Sequence, residues 1–486
     1  MIKYTLPRGT QDILPDKAIK KEYVLFVLKN VADFFGFNEI QTPVFENTEV
    51  FTRSVGESSD IVNKEMYTFL DRGNRSITLR PEGTAGIIRA FVENKLYATA
   101  DLPYKVYYSY DVFRYERPQA GRYRQLNQFG IESIGTNSLY HDAEVILEMY
   151  HSLNELGIRD FYFKINNIGD EDCRSKYKLA LKEYFANYLS DLCSDCKIRY
   201  EKNPLRILDC KIDSSKDYFK KAPKISDFLS EDSKKYFKNL LDILDEYQVN
   251  YEIDDSLVRG LDYYSETVFE VHVKNEQQDY GAIGGGGRYN NLVADLGGPQ
   301  LSSIGYSFGI ERIILIMEAQ NLFDGIKNEI LAYVMPLEDT TSSYAFQVAM
   351  YLRFNQISTD IDFSGKSIKS LFKMADRKNA KYIILIGNDE MISNTVTVKN
   401  NATKEQVTIP VADLLDFFAN DLIKEDNDEI HHHDSKCSCH DNDHECTCDS
   451  GECECDENDN DHECTCDSGE CECDENDNDH CSCHNH

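Results

Sequence analysis

The sequence predicts an α+β protein, with a largely antiparallel sheet and helices, then a small α/β domain and a disordered tail. Short runs rich in β-branched and aromatic residues recur before residue 325 without regular helical crossovers, which favours antiparallel pairing. Beyond residue 328, strand-like and helix-like segments alternate, a pattern typical of a mainly parallel sheet. The last sixty residues have almost no apolar side chains with which to build a core.

In the first region, Gly and Pro delimit the predicted elements. Apolar residues at helical spacing predict a helix over 18–35 that ends before Gly36. Six runs are predicted strands: Glu39–Val44, Tyr67–Leu70, Ser76–Leu79, Lys105–Phe113, Phe161–Ile165 and Thr267–Val273. Residues 170–255 interrupt this pattern with a Lys-, Asp- and Tyr-rich helical stretch, which we interpret as an insertion.

The second region alternates between the two types of element. Its predicted strands are Leu331–Pro336, Ile357–Ile361 and Tyr382–Gly387, and its predicted helices are Ser343–Phe354, Ser367–Lys378 and Ala412–Phe418. We therefore expect a first domain over 1–325 with its insertion, a second domain over 328–422 and a tail over 425–486.

Composition narrows the class of protein. The 486 residues, 41% of them hydrophobic and 11% aromatic, are enough for two to four packed domains. No run of about 18 apolar residues occurs, so we expect no membrane span. The segment from Met1 to Arg8 has no apolar signal core, which predicts a cytoplasmic location.

Negative charge is concentrated in the tail. Of the net −33, residues from Glu425 onward carry −22, since they hold 23 acidic residues and one basic residue, Lys436. The rest of the chain carries only −11. A local basic patch can therefore still bind nucleic acid, and global acidity does not exclude that class of partner.

The first motif that carries chemistry is Thr78-Leu79-Arg80-Pro81-Glu82-Gly83-Thr84, a strand end followed by a turn and a helix. Glu82 can accept hydrogen bonds from a substrate ammonium group, and Thr84 adds a hydroxyl. The alternative is a surface turn in which Thr84 only caps the helix.

The second motif, Phe113-Arg114-Tyr115-Glu116-Arg117-Pro118, leads through Arg122 and Arg124 to Gln128 and Glu132. Arginine forks match phosphate oxygens, and a basic, aromatic loop can meet the end of a nucleic acid. The alternative is an ordinary basic hairpin loop.

The third motif joins Arg259-Gly260-Leu261-Asp262-Tyr263-Tyr264 to four glycines, Gly284–Gly287, and the pair Arg288-Tyr289. Consecutive glycines let the backbone approach a ligand closely, although a glycine run is also typical of a flexible turn.

The fourth motif is Gly305-Tyr306-Ser307-Phe308-Gly309-Ile310-Glu311-Arg312, which opens an apolar helix. Arg312 in the first helical turn can add its charge to the helix dipole beside a polyphosphate. The alternative is a helix-start arginine with no ligand.

Together the four motifs resemble those of the histidine–tRNA ligase family of class II aminoacyl-tRNA synthetases. The resemblance covers about residues 1–420 and begins at Leu6-Pro7-Arg8-Gly9-Thr10-Gln11-Asp12. It continues through the class motifs near Gly36–Pro43, at Phe113–Glu116 and at Gly305–Arg312, and RGLDYY is the family's own histidine-binding run. It implies an ATP-dependent ligase that forms histidyl-tRNA through histidyl-adenylate, with an anticodon-binding second domain, Mg²⁺ on the ATP phosphates and a homodimeric assembly.

The resemblance also implies a role for individual residues. Glu82, Gly83, Thr84 and Gln128 are expected at the amino and carboxylate end of histidine, and Glu132, Tyr263 and Tyr264 at the imidazole side. The catalytic pair Arg114 and Arg259 is expected to contact histidine and the ATP α-phosphate, and Arg312 the γ-phosphate. For tRNA, Arg122 and Arg124 of the basic loop are candidate contacts. In the second domain Lys366, Lys369, Lys373, Arg377 and Lys381 recur at helical spacing as a candidate phosphate-contacting stripe, and a solvated amphipathic face is the alternative. Asn290, where Asp is usual, and Ser265-Glu266, where Thr-Gly is usual, depart from the family pattern.

Cysteine is as unevenly distributed as charge. Cys193-x-x-Cys196 with Cys210 and Cys173 is compatible with a structural zinc site, but the irregular spacing to the second pair favours ordinary reduced cysteines. The tail holds six Cys-x-Cys pairs and nine histidines on an 18-residue repeat that starts at His444. Such thiolates favour Zn²⁺ or Cu⁺, so we expect metal at Cys437, Cys439, Cys446, Cys448, Cys453, Cys455, Cys464, Cys466, Cys471, Cys473, Cys481 and Cys483. A low-complexity tail that only aids solubility is the alternative.

Two other functions compete with the ligase. A non-catalytic paralogue that regulates the first enzyme of histidine biosynthesis shares the catalytic fold but typically lacks the anticodon module and the complete adenylating set. Arg114, Arg259 and Arg312 are all present here, which favours catalysis. The third possibility is a chain whose tail makes it mainly a metal store or sensor.

Overall fold

The structure, a computed structural model, describes residues 4–56, 59, 61–119, 121–210, 212–274 and 278–420 and the backbone of 448–449 and 452–453. Two compact units divide the chain, Met1–Lys327 and Asn328–His486. The strands of the first unit are β1 (Asn38–Glu39), β2 (Phe45–Asn47), β3 (Tyr67–Leu70), β4 (Ser76–Leu79), β5 (Tyr104–Phe113), β6 (Gln125–Ile134), β7 (Phe161–Asn167), β8 (Tyr251–Ile253), β9 (Ser265–Lys274), β10 (Asp279–Tyr289) and β11 (Ser303–Gly309). Its helices are α1 (Pro15–Phe34), α2 (Thr48–Val55), α3 (Thr84–Glu93), α4 (Leu96–Thr99), α5 (Leu139–Glu155), α6 (Glu171–Ala186), α7 (Ser194–Lys202), α8 (Asp217–Lys220), α9 (Glu231–Glu246), α10 (Leu292–Asp295) and α11 (Ile310–Ala319).

An eight-stranded sheet forms the centre of the first unit, in the order β1-β5-β6-β11-β10-β9-β7-β8. The five inner pairings are antiparallel, and only the edge strands β1 and β8 pair in parallel. The predicted α+β class with a largely antiparallel sheet is confirmed. A separate three-stranded antiparallel sheet, β2-β4-β3, leads into α3.

Strand β6 is buried on both faces, which gives the sheet a core side and a cavity side. Phe129 and Ile131 belong to the core that α1, α5 and α11 build against the sheet, and each is fully buried. Successive side chains of a strand point to opposite faces, so Gln128 and Glu132 face the other way. Both line a cavity there, although neither is more than 7% exposed.

A fully buried ion pair ties the end of β10 to α5. Arg288 donates to Asp142, to the carbonyl oxygen of Thr136 at 2.7 Å and to the Ser302 hydroxyl at 2.6 Å. A buried ion pair is tolerated only when its hydrogen-bonding capacity is used in this way. Arg288 is therefore a structural residue, and the glycines before it are held in place inside the sheet.

The insertion is helical, with α6 to α9 and short 3₁₀ turns at Pro204–Ile207 and Ile225–Asp227. Tyr177, Leu181 and Phe185 of α6 build its own small core. The chain then returns to the main sheet as β8, which pairs with β7. The insertion is thus anchored to the sheet at its exit.

The second unit is a five-stranded mixed sheet with helices. Its elements are β12 (Ile330–Pro336), α12 (Ser342–Phe354), β13 (Thr359–Ile361), α13 (Ile368–Arg377), β14 (Ala380–Ile386), α14 (Asn388–Ser393), β15 (Thr395–Asn400), β16 (Gln406–Pro410) and a helix over 414–420. Strands β13, β12 and β14 are parallel, whereas β15 and β16 continue the sheet antiparallel. The tail contributes one described backbone feature, the pairing of Cys448–Asp449 with Glu452–Cys453.

Two expectations need correction. The strand predicted over Glu39–Val44 is only Asn38–Glu39, because Pro43 has no N–H to donate to a ladder and the chain leaves the sheet before it. The sheet of the second unit is less parallel than expected. Two strands that were not predicted, β15 and β16, extend it with antiparallel pairing. Among the described helices, none has both the length and the apolarity that crossing a membrane requires.

A buried carboxyl group on α5 makes stability depend on pH. Burial raises the pKa of Glu148 from 4.5 to about 8, although hydrogen bonds from Tyr306 and Ser152 oppose that shift. Because the pKa is higher in the folded than in the unfolded state, folding favours the protonated form. The contribution of Glu148 to the free energy of unfolding is therefore fully present below about pH 4.5 and is lost as the pH rises through about 8.

We therefore expect Glu148→Gln to flatten the pH dependence of unfolding. Each such group contributes a slope of up to about 1.4 kcal/mol per pH unit between the two pKa values. Unfolding midpoints measured from pH 5 to 8.5 in wild type and Glu148→Gln give the comparison. Parallel curves for the two proteins would contradict the role of Glu148.

Candidate active site

A cavity of about 330 Å³ lies in the first unit, on the face of the sheet opposite the main core. Its walls come from β6, β10 and β11, the start of α3 and the segment before β9. All four motifs contribute lining residues, among them Glu82, Thr84, Arg114, Glu116, Arg122, Gln128, Glu132, Arg259, Tyr263, Tyr264, Gly284, Gly285, Tyr289 and Arg312. Segments far apart in the sequence therefore meet around one space.

Glu82 and Thr84 form a buried corner at the start of α3. The Glu82 carboxylate accepts hydrogen bonds from the backbone N–H groups of Thr84 at 2.8 Å and Ala85 at 2.9 Å. Both side chains are at most 7% exposed, so the alternative of a surface turn is wrong. Burial raises the pKa of Glu82, and these amides and Arg114 oppose the shift.

Gly83 does not line the cavity. A Cβ atom on Gly83 would lie 2.5 Å from the ring of Tyr108, so the position requires glycine for packing. Its predicted contact with histidine stays a prediction, and the structure supports only this packing requirement.

Glu132 is the most enclosed acid of the cavity, with 1% exposure. The Thr84 hydroxyl donates to it at 2.6 Å, and the Tyr289 hydroxyl donates to its other oxygen. Burial raises the pKa of Glu132 from 4.5 to about 8, against the effect of these two hydrogen bonds, and Glu82 adds to the rise. The unliganded carboxyl is therefore mainly protonated at neutral pH.

Glycine is required where β10 and β11 pass behind Glu132. A Cβ atom on Gly305 would lie 2.0 Å from Glu132 Oε2, and one on Gly286 would lie 2.0 Å from the Gly305 carbonyl oxygen. The glycine run lies inside β10, and Gly284 and Gly285 line the cavity. The alternative of a flexible turn is wrong.

Tyr263 and Tyr264 form the wall next to Glu132, with ring centroids 4.6 Å apart. Both are less than 10% exposed, and burial raises the pKa of each hydroxyl. On the same side, Gln128 Oε1 is buried and has no hydrogen-bond partner among the described residues. A buried acceptor without a partner is costly, which favours a ligand that donates to it.

Four arginines line the cavity, and three of them, Arg114, Arg259 and Arg312, were predicted to contact ATP. Arg259 forms an ion pair with Glu270, Arg114 Nε donates to the Pro81 carbonyl oxygen at 2.7 Å, and Arg312 donates to the Ala282 carbonyl oxygen. Burial alone would lower the pKa of Arg259, but Glu270 raises it overall. Its Nε is buried and unpartnered among the described residues, so Arg259 keeps donor capacity for an anion.

Glu270 and Tyr289 are cavity residues whose contacts were not predicted. Glu270 lies in β9, eleven positions after Arg259, and its pKa is lowered by Arg259 and His272 against the effect of burial. Tyr289 closes the glycine run and is 157 positions from Glu132. The signal in the sequence was their position, since Tyr289 belongs to the third motif and Glu270 comes six residues after Tyr264, although position did not identify their partners.

The loop after β5 holds the two arginines predicted to contact tRNA. Arg122 lines the cavity and lies 3.5 Å from Glu116 Oε2. Arg124 does not line it, because its guanidinium stacks on the Tyr115 ring at 3.7 Å. The third predicted group, Lys369, Lys373 and Arg377, lies in the second unit, exposed along one side of α13.

The two departures from the family pattern contact each other. Glu266 adopts the left-handed conformation with φ of 51°, at the position where glycine is usual. Its carboxylate accepts from Asn290 Nδ2 at 3.0 Å. An aspartate at 290 would place two acidic side chains side by side, so the change to Asn accommodates Glu266.

The metal ligands predicted in the tail have side chains outside the described part of the chain.

Comparison with known proteins identifies the family. A family model described as histidyl-tRNA synthetase matches residues 9–170 and 174–313, and one described as anticodon binding domain matches residues 331–421. Histidine–tRNA ligase 1 of Shouchella clausii (strain KSM-K16) is 46% identical over 415 residues, 85% of this chain and 97% of that protein. Histidine–tRNA ligase of Bacillus cytotoxicus is 44% identical over 421 residues, 86% of this chain and 99% of that protein.

A solved structure gives the same result. The apo histidyl-tRNA synthetase of Staphylococcus aureus is similar with a TM-score of 0.73 at 38% identity, covering 86% of this chain and 100% of that one. The family model spans more than half of the chain, and the relatives are matched over almost their whole length. With its motifs gathered around one cavity, the chain belongs to the histidyl-tRNA synthetase family, and so to the aminoacyl-tRNA synthetases.

Proposed function

We propose that the protein is a histidine–tRNA ligase, which converts ATP, L-histidine and histidine tRNA into histidyl-tRNA, AMP and diphosphate through histidyl-adenylate. The observation that carries the proposal is the cavity itself. It combines three arginines, which suit a polyphosphate, with a buried protonatable acid and two tyrosines, which suit an imidazole ring. Such a combination fits both substrates of the first step.

In this proposal histidine occupies the inner part of the cavity. Its ammonium group donates to Glu82 and to the unpartnered Gln128 Oε1. Glu132 and Tyr264 hydrogen-bond the two imidazole nitrogens. Buried polar groups that stay unpaired with the wrong amino acid give strong discrimination, so no editing site is required.

ATP lies across the arginines. Arg114 and Arg259 contact the α-phosphate, and Arg312 contacts the γ-phosphate. The histidine carboxylate attacks the α-phosphorus, diphosphate leaves, and negative charge develops on the oxygens between the two arginines. Fixed cationic donors stabilise this charge more in the transition state than in the ground state. Positioning and electrostatics supply most of the rate enhancement, with little need for general acid–base catalysis.

Mg²⁺ is expected on the ATP phosphates. Carboxylate oxygens are the ligands it prefers in proteins, and Glu116 and Glu270 line the arginine side of the cavity. When bound, the ion neutralises phosphate charge. Both glutamates already face arginines, so the cavity holds both charge signs that a metal–nucleotide complex requires.

The second step, transfer of histidine from histidyl-adenylate to tRNA, needs contacts to tRNA. We assign the acceptor end to the loop with Arg122 and Arg124, and the anticodon to the domain over 328–422, through Lys369, Lys373 and Arg377 on α13. The catalytic domain then comprises 1–325 with the insertion at about 170–255, and we expect a homodimer. The tail over 425–486 is proposed to bind Zn²⁺ or Cu⁺ through its Cys-x-Cys pairs.

Aminoacylation of histidine tRNA tests the function. We expect ATP-dependent charging with histidine by the full chain and by a chain that ends at Asn420, because all cavity residues precede that point. The full chain should in addition carry several more Zn²⁺ or Cu⁺ per molecule, measured by mass spectrometry of metals under reducing conditions. Chelator should remove that metal. It should affect the charging activity of the full chain and of the shortened chain to the same extent.

The opposite outcomes are equally specific. Absence of charging, together with activation of the first enzyme of histidine biosynthesis, would favour the regulatory paralogue. Charging that requires the tail and its metal would favour a metal-sensing role. Equal metal content of the two chains would contradict the metal-binding tail and leave the ligase proposal intact.

A further inference from the structure

Four potential metal ligands meet inside the helical insertion. The thiols of Cys193, Cys196 and Cys210 and a carboxylate oxygen of Asp213 all lie within 4.8 Å of one another. Cys173 is not part of this group and packs against Gly169. The spacing that seemed irregular in the sequence is regular once Asp213 is included, since Cys193-x-x-Cys196 and Cys210-x-x-Asp213 repeat one pattern.

The two halves of the cluster also share one backbone geometry. The Cys196 N–H donates to Cys193 Sγ at 3.4 Å, and the Asp213 N–H donates to Cys210 Sγ at 3.3 Å. In each half the fourth residue therefore donates its N–H to the sulfur of the first. Donation to sulfur favours the thiolate, which is the form that binds metal.

Further contacts hold the halves against each other. Cys193 Sγ and Cys210 Sγ are 3.7 Å apart, and the Cys193 N–H donates to Asp213 Oδ2 at 2.9 Å. Thiolates bound to one tetrahedral zinc at about 2.3 Å are about 3.8 Å apart, so the separation suits a shared ion. A disulfide would require about 2.05 Å, and the two sulfurs are not bonded.

We infer that Cys193, Cys196, Cys210 and Asp213 bind one structural Zn²⁺ ion, independent of any metal on the tail. Zinc is a borderline-soft ion that binds both thiolates and carboxylates, and three thiolates with one carboxylate complete a closed tetrahedral site. Lys216 lies 2.8 Å from Asp213 Oδ1 and offsets part of the negative charge that remains after Zn²⁺ binds. Cys193 is only half-buried, which leaves the ion a path to the site.

The site would stabilise the segment that supports the cavity. The chain between the two halves contains Asn203 and Arg206. Arg206 donates to the Arg259 carbonyl oxygen at 3.0 Å, and Asn203 donates to Asp262 at 3.2 Å. The ion would thus link the start of α7 to Cys210 and Asp213 around residues that hold the RGLDYY segment in place.

Peptide-resolved alkylation of the full chain tests the site separately from the tail. The folded protein is treated with iodoacetamide under reducing conditions as isolated, after chelator, and after chelator followed by Zn²⁺. We expect chelator to increase alkylation of Cys193, Cys196 and Cys210 at least several-fold and added Zn²⁺ to restore protection, while Cys173 stays unchanged. The proposal would be overturned if chelator left the alkylation of these three cysteines unchanged, or if the peptide map contained a Cys193–Cys210 disulfide.

Variants give a second and independent measurement. Metal analysis of Cys193→Ser/Cys196→Ser should find one Zn²⁺ per chain fewer than wild type, and the control Cys173→Ser should match wild type. Asp213→Cys supplies a fourth thiolate and should retain the ion even if the serine variant folds poorly, whereas Asp213→Ala should lose it more readily to chelator. Equal zinc in wild type and the serine variant would overturn the site. Neither readout depends on ligase activity, so the site can fail while the proposed function stands.

Discussion

Replacing Arg259 with alanine is expected to lower histidine-dependent ATP–pyrophosphate exchange on the order of 10²-fold or more, the effect of losing one fixed donor to a developing oxyanion. Arg259 is the arginine whose surroundings are best suited to this role. It is half-buried beside Glu270, and its buried Nε has no partner among the described residues. Exchange close to the wild-type rate would remove Arg259 from the chemistry.

Stability has to be separated from catalysis in that experiment. Removing Arg259 alone takes an ion-pair partner away from the half-buried Glu270, which also contacts His272, and this loss is destabilising in itself. The matched control is Arg259→Ala/Glu270→Ala, which removes both charges and should recover much of the unfolding midpoint without recovering exchange. Arg259→Lys keeps a charge but loses the planar fork, so we expect it to remain well below wild type. Recovery of exchange in the double variant would mean that the single variant had failed by unfolding.

The second large effect is expected at Glu132, which we propose to read the imidazole ring. Glu132→Ala should lower kcat/KM for histidine on the order of 10²-fold, since the substrate nitrogen and the Thr84 and Tyr289 hydroxyls would all lose a buried partner. Steady-state exchange at varied histidine concentration measures this change. An alanine variant with unchanged kcat/KM would contradict the assignment.

The pH profile tests the protonation state of Glu132. Its pKa of about 8 leaves the carboxyl protonated at neutral pH, able to donate to an imidazole nitrogen. As the pH rises through about 8 the proton is lost, so kcat/KM for histidine, which reports groups of the free enzyme, should fall. Glu132→Gln keeps an N–H donor at every pH and should remove the step while keeping most activity at pH 7.

Glu148→Gln is the matched control for that profile. Glu148 is another buried carboxyl with a pKa of about 8, but it does not line the cavity. Its replacement should change the pH dependence of stability and leave the step in kcat/KM in place. A profile that loses its step in both variants would assign the step to unfolding, and not to substrate recognition.

Local sequence patterns predicted the elements whose type depends on neighbouring residues. Periodic apolar residues predicted α1 within a few residues of its observed bounds, Pro15–Phe34, and aromatic and β-branched runs predicted β5 and β7. Prediction failed where tertiary contacts override local preference. Four glycines disfavour a strand, yet Gly284–Gly287 form the centre of β10, because only glycine fits between the neighbouring strands.

The metal-ligand cluster shows the same limit from another direction. Spacing between cysteines alone did not reveal a second half, because its fourth member is an aspartate, a residue type too common on surfaces to stand out in a sequence. Only the fold brings Asp213 next to Cys193, and with it the repeated spacing becomes visible.

By itself, the sequence determined the α+β class, the family and which residues belong to its motifs, since the motifs keep their order and identity along the chain. The tertiary structure decided which of these residues share one cavity, which partners set their charge and which glycines are required for packing. Burial raises the pKa of Glu132, and the hydrogen bonds that oppose this shift come from Thr84, 48 positions away, and Tyr289, 157 positions away. The physical reason is that burial and electrostatic environment are properties of the space around a side chain, which distant segments create together.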